Sequence, residues 1–232
     1  MSNEFDFNSA LRIEQVYVPS DRFLQVFYAF AGRVASLQRY HEFGSEFITR
    51  YLVQTRRSRM QLSGAEDWVA ELVHEEMTLQ DIDNLAKYHH AAVLAHLFSL
   101  AEGLFADVAM DVAKMLGISM EPPAKPMPYL NRYVIFLQRT CGLDIQIATS
   151  TWKTIDALRA LRNRYVHQLS SDLPPSVTTV LQEIASSSEH EGRTVDHAFV
   201  RETFKTIGAL ALVLDHAYWT FYESRGRCEP GT

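Results

Sequence analysis

The sequence predicts an all-α protein, and three observations lead to that prediction. Apolar residues recur at steps of three and four over long stretches, which is the spacing of one face of a helix. Glycine and proline are few, 10 and 8 among 232 residues, and the turn clusters that separate the short strands of a sandwich or barrel are missing. The hydrophobic share of 47% is typical of a globular protein with a substantial core and excludes global disorder.

The net charge, the first residues and the cysteines of the chain indicate its compartment and the kinds of partner it can bind. Twenty-two basic against 28 acidic side chains give a net charge of −6, so a polyanion would have to meet a local basic patch. The first residues, MSNEFDF, carry acids where an export signal carries bases, and Cys141 and Cys228 share no motif spacing. The most apolar stretches, 91–110 and 207–222, are interrupted by ionisable side chains. We therefore expect a cytoplasmic protein with buried helices and no membrane contact.

The two ends of the chain are predicted as tails. Residues 1–19 show no sustained period, and residues 226–232 follow the last helical pattern. After the first tail, Ser20 or Asp21 is placed to cap a helix, since each offers a side-chain oxygen to the free backbone N–H groups of a first turn.

The region over 20–76 is predicted to be a helical extension. Helical spacing runs through 22–59, with Gly44 as a possible break, so we expect two helices there. A short amphipathic helix over 65–76 completes the extension.

The region over 77–225 is predicted to form the main bundle. Thr78 would cap a helix over 79–116 whose two neighbouring apolar stripes make it central to the fold. Gly117 ends this helix, and the proline-rich segment 121–128 forms a loop. The remaining predicted helices span 129–139, 149–169, 177–184 and 196–224.

The helix over 149–169 holds the most informative pattern. At 100° per residue, Leu158 and its apolar neighbours define a buried face, and Arg162 falls about 40° from Leu158, inside that face. Asn163 and His167 lie on the far side, one turn apart. A guanidinium in an apolar stripe needs either a carboxylate partner or an anion.

Two interpretations of this pattern remain open from the residues alone. In one, Arg162 pairs with an acid of the core such as Glu102, and His167 is a cation at a helix end. In the other, Arg162 holds a phosphate and His167 moves a proton, with Asn163 fixing the imidazole or a ribose hydroxyl.

The segment Arg162-Asn163-x-x-x-His167 resembles the R-N-x-x-x-H motif of the HEPN superfamily. Its surroundings are similar as well. A long helix carries a Ser-x-x-Glu pattern ending at Glu102, a short helix ends near Gly142-Leu143, and the motif lies on a helix that bears a tryptophan. The resemblance covers residues 79–225 in order and pattern.

The resemblance implies a helical bundle that forms a homodimer with two motifs facing one cleft. It also implies a metal-independent endoribonuclease that needs no cofactor and acts as a toxin or antiphage effector on RNA, with a cognate antitoxin or regulatory protein as a further partner. Arg162 would be the phosphate clamp, His167 the general acid and base, Asn163 a polar support and Glu102 a supporting residue. Other members have lost cleavage and serve in dimerisation or in the binding of a partner or a nucleotide, which is the alternative function.

Further basic residues could extend such a cleft. Arg159 and Arg164 flank the motif, and the arginines within 56–59 offer either a second basic wall or a solvated helix end. We expect the dimer interface around the motif helix, because the stripes over 79–116 and 149–169 offer more apolar surface than one bundle can cover.

Metal sites are not expected. The histidines at 74, 89, 90 and 96 form neither H-E-x-x-H nor a Cys/His set. The glycine-rich signatures of NTPases, dinucleotide-binding proteins and serine hydrolases are also missing.

Overall fold

The computed structural model describes residues 14–20, 24–62, 68–119, 129–167, 173–185 and 195–226, with side chains left out over 58–62, 68–75, 165–167, 184–185 and at residues 129 and 226. Within these residues the chain forms six α-helices and no strand, which confirms the all-α prediction. The helices are Gln25–Leu62 (α1), Trp68–Leu116 (α2), Tyr129–Ile135 (α3), Thr149–His167 (α4), Pro175–Ala185 (α5) and His197–Gly226 (α6).

The first helix is continuous, so the predicted break at Gly44 is wrong. α1 runs for 38 residues through this position, and the glycine serves a different purpose. A Cβ atom at Gly44 would overlap the imidazole ring of His89 on α2. The missing side chain therefore lets α1 and α2 approach closely, which a local reading of glycine as a helix breaker does not reveal.

The second helix is also longer than predicted. α2 spans 49 residues and includes both the described part, 68–76, of the separate helix expected over 65–76 and the start expected at Thr78. The junction contains neither glycine nor proline, so nothing forces an interruption. The boundary predicted between residues 76 and 77 thus lies inside a helix, and α1 shares one core with the rest of the chain.

α2 is the central element of that core. From residue 91 to 113 it buries apolar side chains on both of its predicted stripes, and α1, α4 and α6 pack around it. By length and composition alone, residues 76–116 would suffice to cross a membrane, since their most apolar window has a mean hydropathy of 1.5. That window is 56% buried inside the chain, and its fully buried residues include Leu94, Leu97, Phe98 and Phe105. The prediction of a buried helix is confirmed.

The second half follows the predicted order. α2 ends at Gly117 as expected, and the loop over 121–128 lies outside the described residues. α3 continues into a π-helical turn, Phe136–Thr140, and Gly142 adopts a left-handed φ of 79° that favours glycine. Asp196 caps α6, because its Oδ1 accepts a hydrogen bond from the backbone N–H of Phe199 at 2.9 Å.

The described part of the predicted N-terminal tail, over 14–19, packs against α6 together with Ser20. The buried carboxylate of Asp215 accepts hydrogen bonds from Tyr17 Oη at 3.1 Å, from Ser20 N at 2.8 Å and from Ser20 Oγ at 3.1 Å. Gly208 permits the close approach, since a Cβ atom there would overlap the backbone carbonyl of Val16. Ser20 thus bonds across the fold rather than capping α1, which begins at Gln25. Asp21 lies outside the described residues.

Because α1 and α2 approach closely at Gly44, replacing Gly44 and Gly103 by alanine should change the free energy of unfolding in opposite directions. Gly44→Ala would push the His89 ring out of its contacts, and we expect a loss of about 1–2 kcal/mol in the free energy of unfolding. Gly103→Ala has no atom within 4 Å of the new Cβ and should stabilise α2 by roughly 0.5–1 kcal/mol through helix propensity. Urea unfolding of both variants measures the difference. Equal effects of the same sign would contradict the close packing.

Candidate functional site

The candidate site begins with Arg162 on α4. Its Nη1 donates to Glu102 Oε2 on α2 at 3.0 Å, and its guanidinium lies 5.8 Å from the ring centroid of Phe98. The carboxylate partner predicted from the helical spacing is therefore present. The arginine side chain is still 40% exposed, against 16% for the glutamate. Glu102 thus holds one side of the guanidinium while its other N–H groups remain accessible to an anion.

Burial affects the Glu102 carboxyl more strongly than its partner does. Desolvation raises the pKa of Glu102 above its usual value, and the charge of Arg162 offsets only part of that rise. Glu102 therefore orients the arginine at some cost to the glutamate itself. A phosphate that binds Arg162 would meet a guanidinium whose charge is partly offset by Glu102 and whose position is fixed by the same ion pair.

Asn163 and His167 follow Arg162 on the same helix. The Asn163 side chain is exposed, about 100° around α4 from Arg162. His167 is the last residue of α4, and its side chain lies outside the described part of the structure. The helix rise puts its Cα about 7.5 Å beyond that of Arg162, on the turn that follows Asn163.

The two flanking arginines differ. Arg159 is half-exposed and bonds to Asp156 Oδ1 through Nε at 3.3 Å and Nη2 at 3.2 Å. It lies about 60° around α4 from Arg162, so it belongs to the same side of the helix. Arg164 is half-buried and lies about 160° from Arg162. Helical spacing thus groups Arg159, and not Arg164, with Arg162.

The arginines within 56–59 end α1 rather than join α4. Arg56 and Arg57 are exposed on the last turns of α1, and the Arg59 side chain lies outside the described residues. Both uses predicted for this cluster, a basic wall or a solvated helix end, are compatible with that exposure.

The residues around the motif have structural roles. Ser99 Oγ donates to the carbonyl of Ala95 at 3.0 Å, within its own helix. Leu143 is buried and bonds through its N–H to the carbonyl of Leu137 at 2.9 Å. Trp152 packs against the core at the start of α4. These contacts hold each residue within its own part of the fold.

The apolar surface expected to form an interface around the motif helix is only partly available. The apolar side chains of α4, including Ile155, Leu158 and Leu161, are buried inside the chain. Those of α2 over 91–113 are mostly buried, but Ala92 and Met110 are exposed. Leu85 and Met115, near the two ends of the predicted α2 stripe, are exposed as well, so the bundle covers the α4 stripe and only the middle of the α2 stripe.

Sequence reasoning missed a cluster of four histidines. His41 of α1 is fully buried, and its ring stacks on those of His89 and His197 with centroids 5.4 and 4.8 Å away. His90 lies edge-on to His41 at 5.5 Å. His89 Nε2 donates to the His41 carbonyl at 3.3 Å, and His90 Nδ1 donates to the Val195 carbonyl at 3.1 Å. The adjacent pair at 89 and 90 was the only visible signal of this cluster.

The buried imidazoles are held in their neutral form. Desolvation, reinforced by the neighbouring imidazoles, lowers the pKa of His41 to about 3, and burial also lowers the pKa values of His89 and His90. Among the described side chains no group of three or more His, Cys, Asp or Glu has the geometry to hold a metal ion. Stacked rings present their faces to one another, so their nitrogens do not converge on one point.

Comparison with known proteins adds no relative to this site. No protein-family model, no curated protein and no solved structure matches the chain. The geometry around Arg162 therefore carries the functional argument together with the motif.

The pairing of Arg162 with Glu102 is tested by a double-mutant cycle. Because the pair is partly exposed, we expect a coupling free energy of about 1 kcal/mol between Arg162→Ala and Glu102→Gln. Each single variant should unfold cooperatively with a loss below about 2 kcal/mol. Denaturant unfolding at neutral pH measures all four proteins. A loss of about 3–5 kcal/mol for Arg162→Ala would instead identify a purely structural ion pair.

The histidine cluster predicts a loss of stability in acid. A histidine whose folded-state pKa is lowered adds stability that is complete above the unfolded value of 6.5 and falls as the pH drops below it. From pH 7.5 to 5.5, His41 alone should cost about 1.4 kcal/mol in the free energy of unfolding. His41→Gln should flatten this dependence, whereas His216→Gln at an exposed position of α6 should leave it unchanged. A wild-type stability that is constant between these pH values would contradict the prediction.

Proposed function

We propose that this protein is a metal-independent endoribonuclease of the HEPN type that acts as a toxin or as an antiphage or stress effector. The observation that carries the proposal is the state of Arg162. Its guanidinium is fixed by Glu102 on one side and exposed on the other, on the same helix as Asn163 and His167. His167 lies about 140° around α4 from Arg162 and about 7.5 Å along it. This arrangement supports a preset phosphate site on the same helix as a group that can move a proton.

Arg162 would stabilise the charge that develops on the phosphorus during cleavage. A guanidinium offers up to five N–H donors in a planar fork that matches phosphate oxygens, and Glu102 Oε2 occupies a donor on Nη1 alone. Because the guanidinium is already positioned, little reorganisation is needed when negative charge accumulates in the transition state. Glu102 acts through Arg162 and is a positioning residue.

His167 would act as the proton carrier. The ribose 2′-OH loses its proton to the imidazole and its oxygen attacks the adjacent phosphorus, while the bond from phosphorus to the 5′-oxygen breaks and that oxygen takes up a proton. The products are a 2′,3′-cyclic phosphate and a 5′-hydroxyl. Asn163, one turn before His167, would support the imidazole or a ribose hydroxyl. The nucleophile belongs to the RNA, so these steps use no cofactor.

Local positive charge would compensate for the net charge of −6. Arg159 lies on the same side of α4 as Arg162, although Asp156 engages it. An RNA phosphate could displace that exposed aspartate, because exposed ion pairs contribute little. Arg164 is a weaker candidate for RNA contact, given its position about 160° from Arg162.

A non-catalytic module for dimerisation or partner binding is the second candidate. The specific observation in its favour is that Arg162 already has a carboxylate partner, as a purely structural arginine would. Under this alternative, a cognate antitoxin or another regulatory protein would bind the bundle, and the motif would not take part in a reaction.

The test is cleavage of RNA by purified wild-type protein and by the variants His167→Ala and Arg162→Ala. We expect both variants to lose at least about 100-fold in rate, because general acid–base catalysis and a preset charge partner each contribute that much or more. His216→Ala, at an exposed histidine of α6, is the matched control and should keep full activity. Cleavage should persist in excess EDTA.

Two outcomes would overturn the mechanism. A substrate with 2′-deoxyribose at the cut site must remain intact, because it lacks the nucleophile, and its cleavage would discard 2′-OH attack. If wild-type protein neither cleaves RNA nor slows growth when expressed, while Arg162→Ala is strongly destabilised, the non-catalytic module is the correct function.

A further inference from the structure

One face of α1 exposes a row of aromatic side chains, formed by Tyr40, Phe43, Phe47 and Tyr51. We call it the aromatic stripe. The four residues follow each other at steps of three and four, so they share one side of the helix. Tyr40 is 56% exposed and Phe47 is 57% exposed. A contiguous set of aromatic side chains in water is the mark of an association surface.

The same face continues toward the start of α1 as a groove. Here α1 presents the small residues Ala29, Gly32 and Ser36, which lie between Tyr28 and Tyr40, and both tyrosines also line the groove. Ala92 and His96 of α2 line the other side, and the groove has a volume of about 870 Å³. One face thus carries a ridge at one end and a groove at the other.

The ridge and the groove are in register with each other. Three pairs of residues are spaced symmetrically about residue 38 along α1. Tyr40 and Ser36 each lie two residues from it, Phe43 and Arg33 five residues, and Phe47 and Ala29 nine residues. A second copy, turned by 180° about an axis that crosses the helix at this level, would run antiparallel. Tyr40 and Phe47 of one copy would then face the small residues Ser36 and Ala29 of the other. Phe43 would receive the cation of Arg33 on its ring, and Tyr51 would face Gln25.

α2 shows the same pattern about the same axis. Its His89 and His90 lie beside Gly44 and His41, so the level of residue 38 on α1 corresponds to residues 93–95 on α2. If residue 94 marks the axis on α2, Leu85, which is exposed, lies nine residues before it, and Gly103 lies nine residues after it. Large and small residues of α2 therefore also face each other in the antiparallel pair.

We propose that this protein forms a two-fold homodimer through the exposed face of the α1/α2 hairpin, with the aromatic stripe of each copy seated in the groove of the other. From Ala29 to Tyr51 the face is about 33 Å long, and two adjacent helices make it about 20 Å wide. The flat projection of this face is about 650 Å², and the uneven surface of its side chains adds to that area. The sum approaches the 800 Å² or so that each partner contributes to a stable interface.

The face suits a second copy better than a nucleic acid. Among the residues that line the groove, Arg33 is the one arginine or lysine, whereas binding of a strand depends on rows of cations along the phosphates. The proposal does not rest on the ribonuclease function. It locates the expected homodimer on the hairpin and away from the buried apolar face of α4.

The first test is sedimentation velocity of the full chain at micromolar concentration. We expect a dimer for the wild type and an increase of about 100-fold or more in the dissociation constant for Phe47→Glu, which acts twice in a two-fold interface. Leu212→Glu changes an equally exposed apolar residue on α6 and should remain dimeric. Circular dichroism shows whether each variant is folded.

The second test leaves the interface intact and detects it by crosslinking. Ser36 lies two residues from the axis level, so the two copies of Ser36 are offset by only about 6 Å along the helices. In a Cys228→Ser background, a short bismaleimide should link Ser36→Cys into a covalent dimer, because it spans this offset together with the separation of about 8–10 Å between packed helices, and it should not link Leu212→Cys. The remaining Cys141 is buried.

Each contrary result is decisive. A wild-type monomer at micromolar concentration overturns the proposal, and so does a dimer that resists Phe47→Glu or that dissociates with Leu212→Glu. Crosslinking through residue 212 and not through residue 36 would place the interface elsewhere. If Phe47→Glu abolishes RNA binding and leaves the dimer intact, the face is a nucleic-acid surface.

Discussion

The burial of α2 on both of its apolar stripes is the constraint on which the rest of the structure depends. A helix with one apolar stripe needs one neighbour, but the stretch around Leu94, Leu97 and Phe98 is buried on several sides and needs α1, α4 and α6 together. The candidate site is a product of this arrangement. Glu102 sits on α2 where α4 crosses it, so the core contact between these helices also places the carboxylate against Arg162.

How much of the fold could be predicted depended on how local the signal was. α4 and α6 lie close to their predicted bounds and α2 ends at Gly117 as predicted, because periodicity, the cap at Asp196 and the stop at Gly117 are encoded in neighbouring residues. The continuity of α1 could not be predicted, since the role of Gly44 exists only in relation to His89, 45 positions away. Likewise, Phe47 is exposed although it lies within the helical apolar pattern over 22–59, and its neighbour Ile48 is the buried residue, because two apolar faces compete in this helix.

Part of the candidate site could also be predicted from local sequence signals, and part could not. Helical geometry put Arg162 in an apolar stripe and identified Glu102 as a partner, so their ion pair followed from sequence once both helices were recognised. The exposure that leaves donors on Arg162 accessible did not follow, since it depends on how α4 crosses α2. The histidine cluster was beyond reach, because His41, His90 and His197 come from three helices that meet only in the folded chain.

The bonds to Asp215 have a consequence for the order of events in the cell. Tyr17 and Ser20 are made before the carboxylate they bind, which follows 198 and 195 residues later. Until α6 has left the ribosome, Tyr17 lacks the partner beside which it is buried, and the apolar side of α2 that α6 covers stays in contact with solvent. The nascent chain thus carries exposed apolar surface until α6 is made, and closure of the core coincides with the meeting of its first and last described segments.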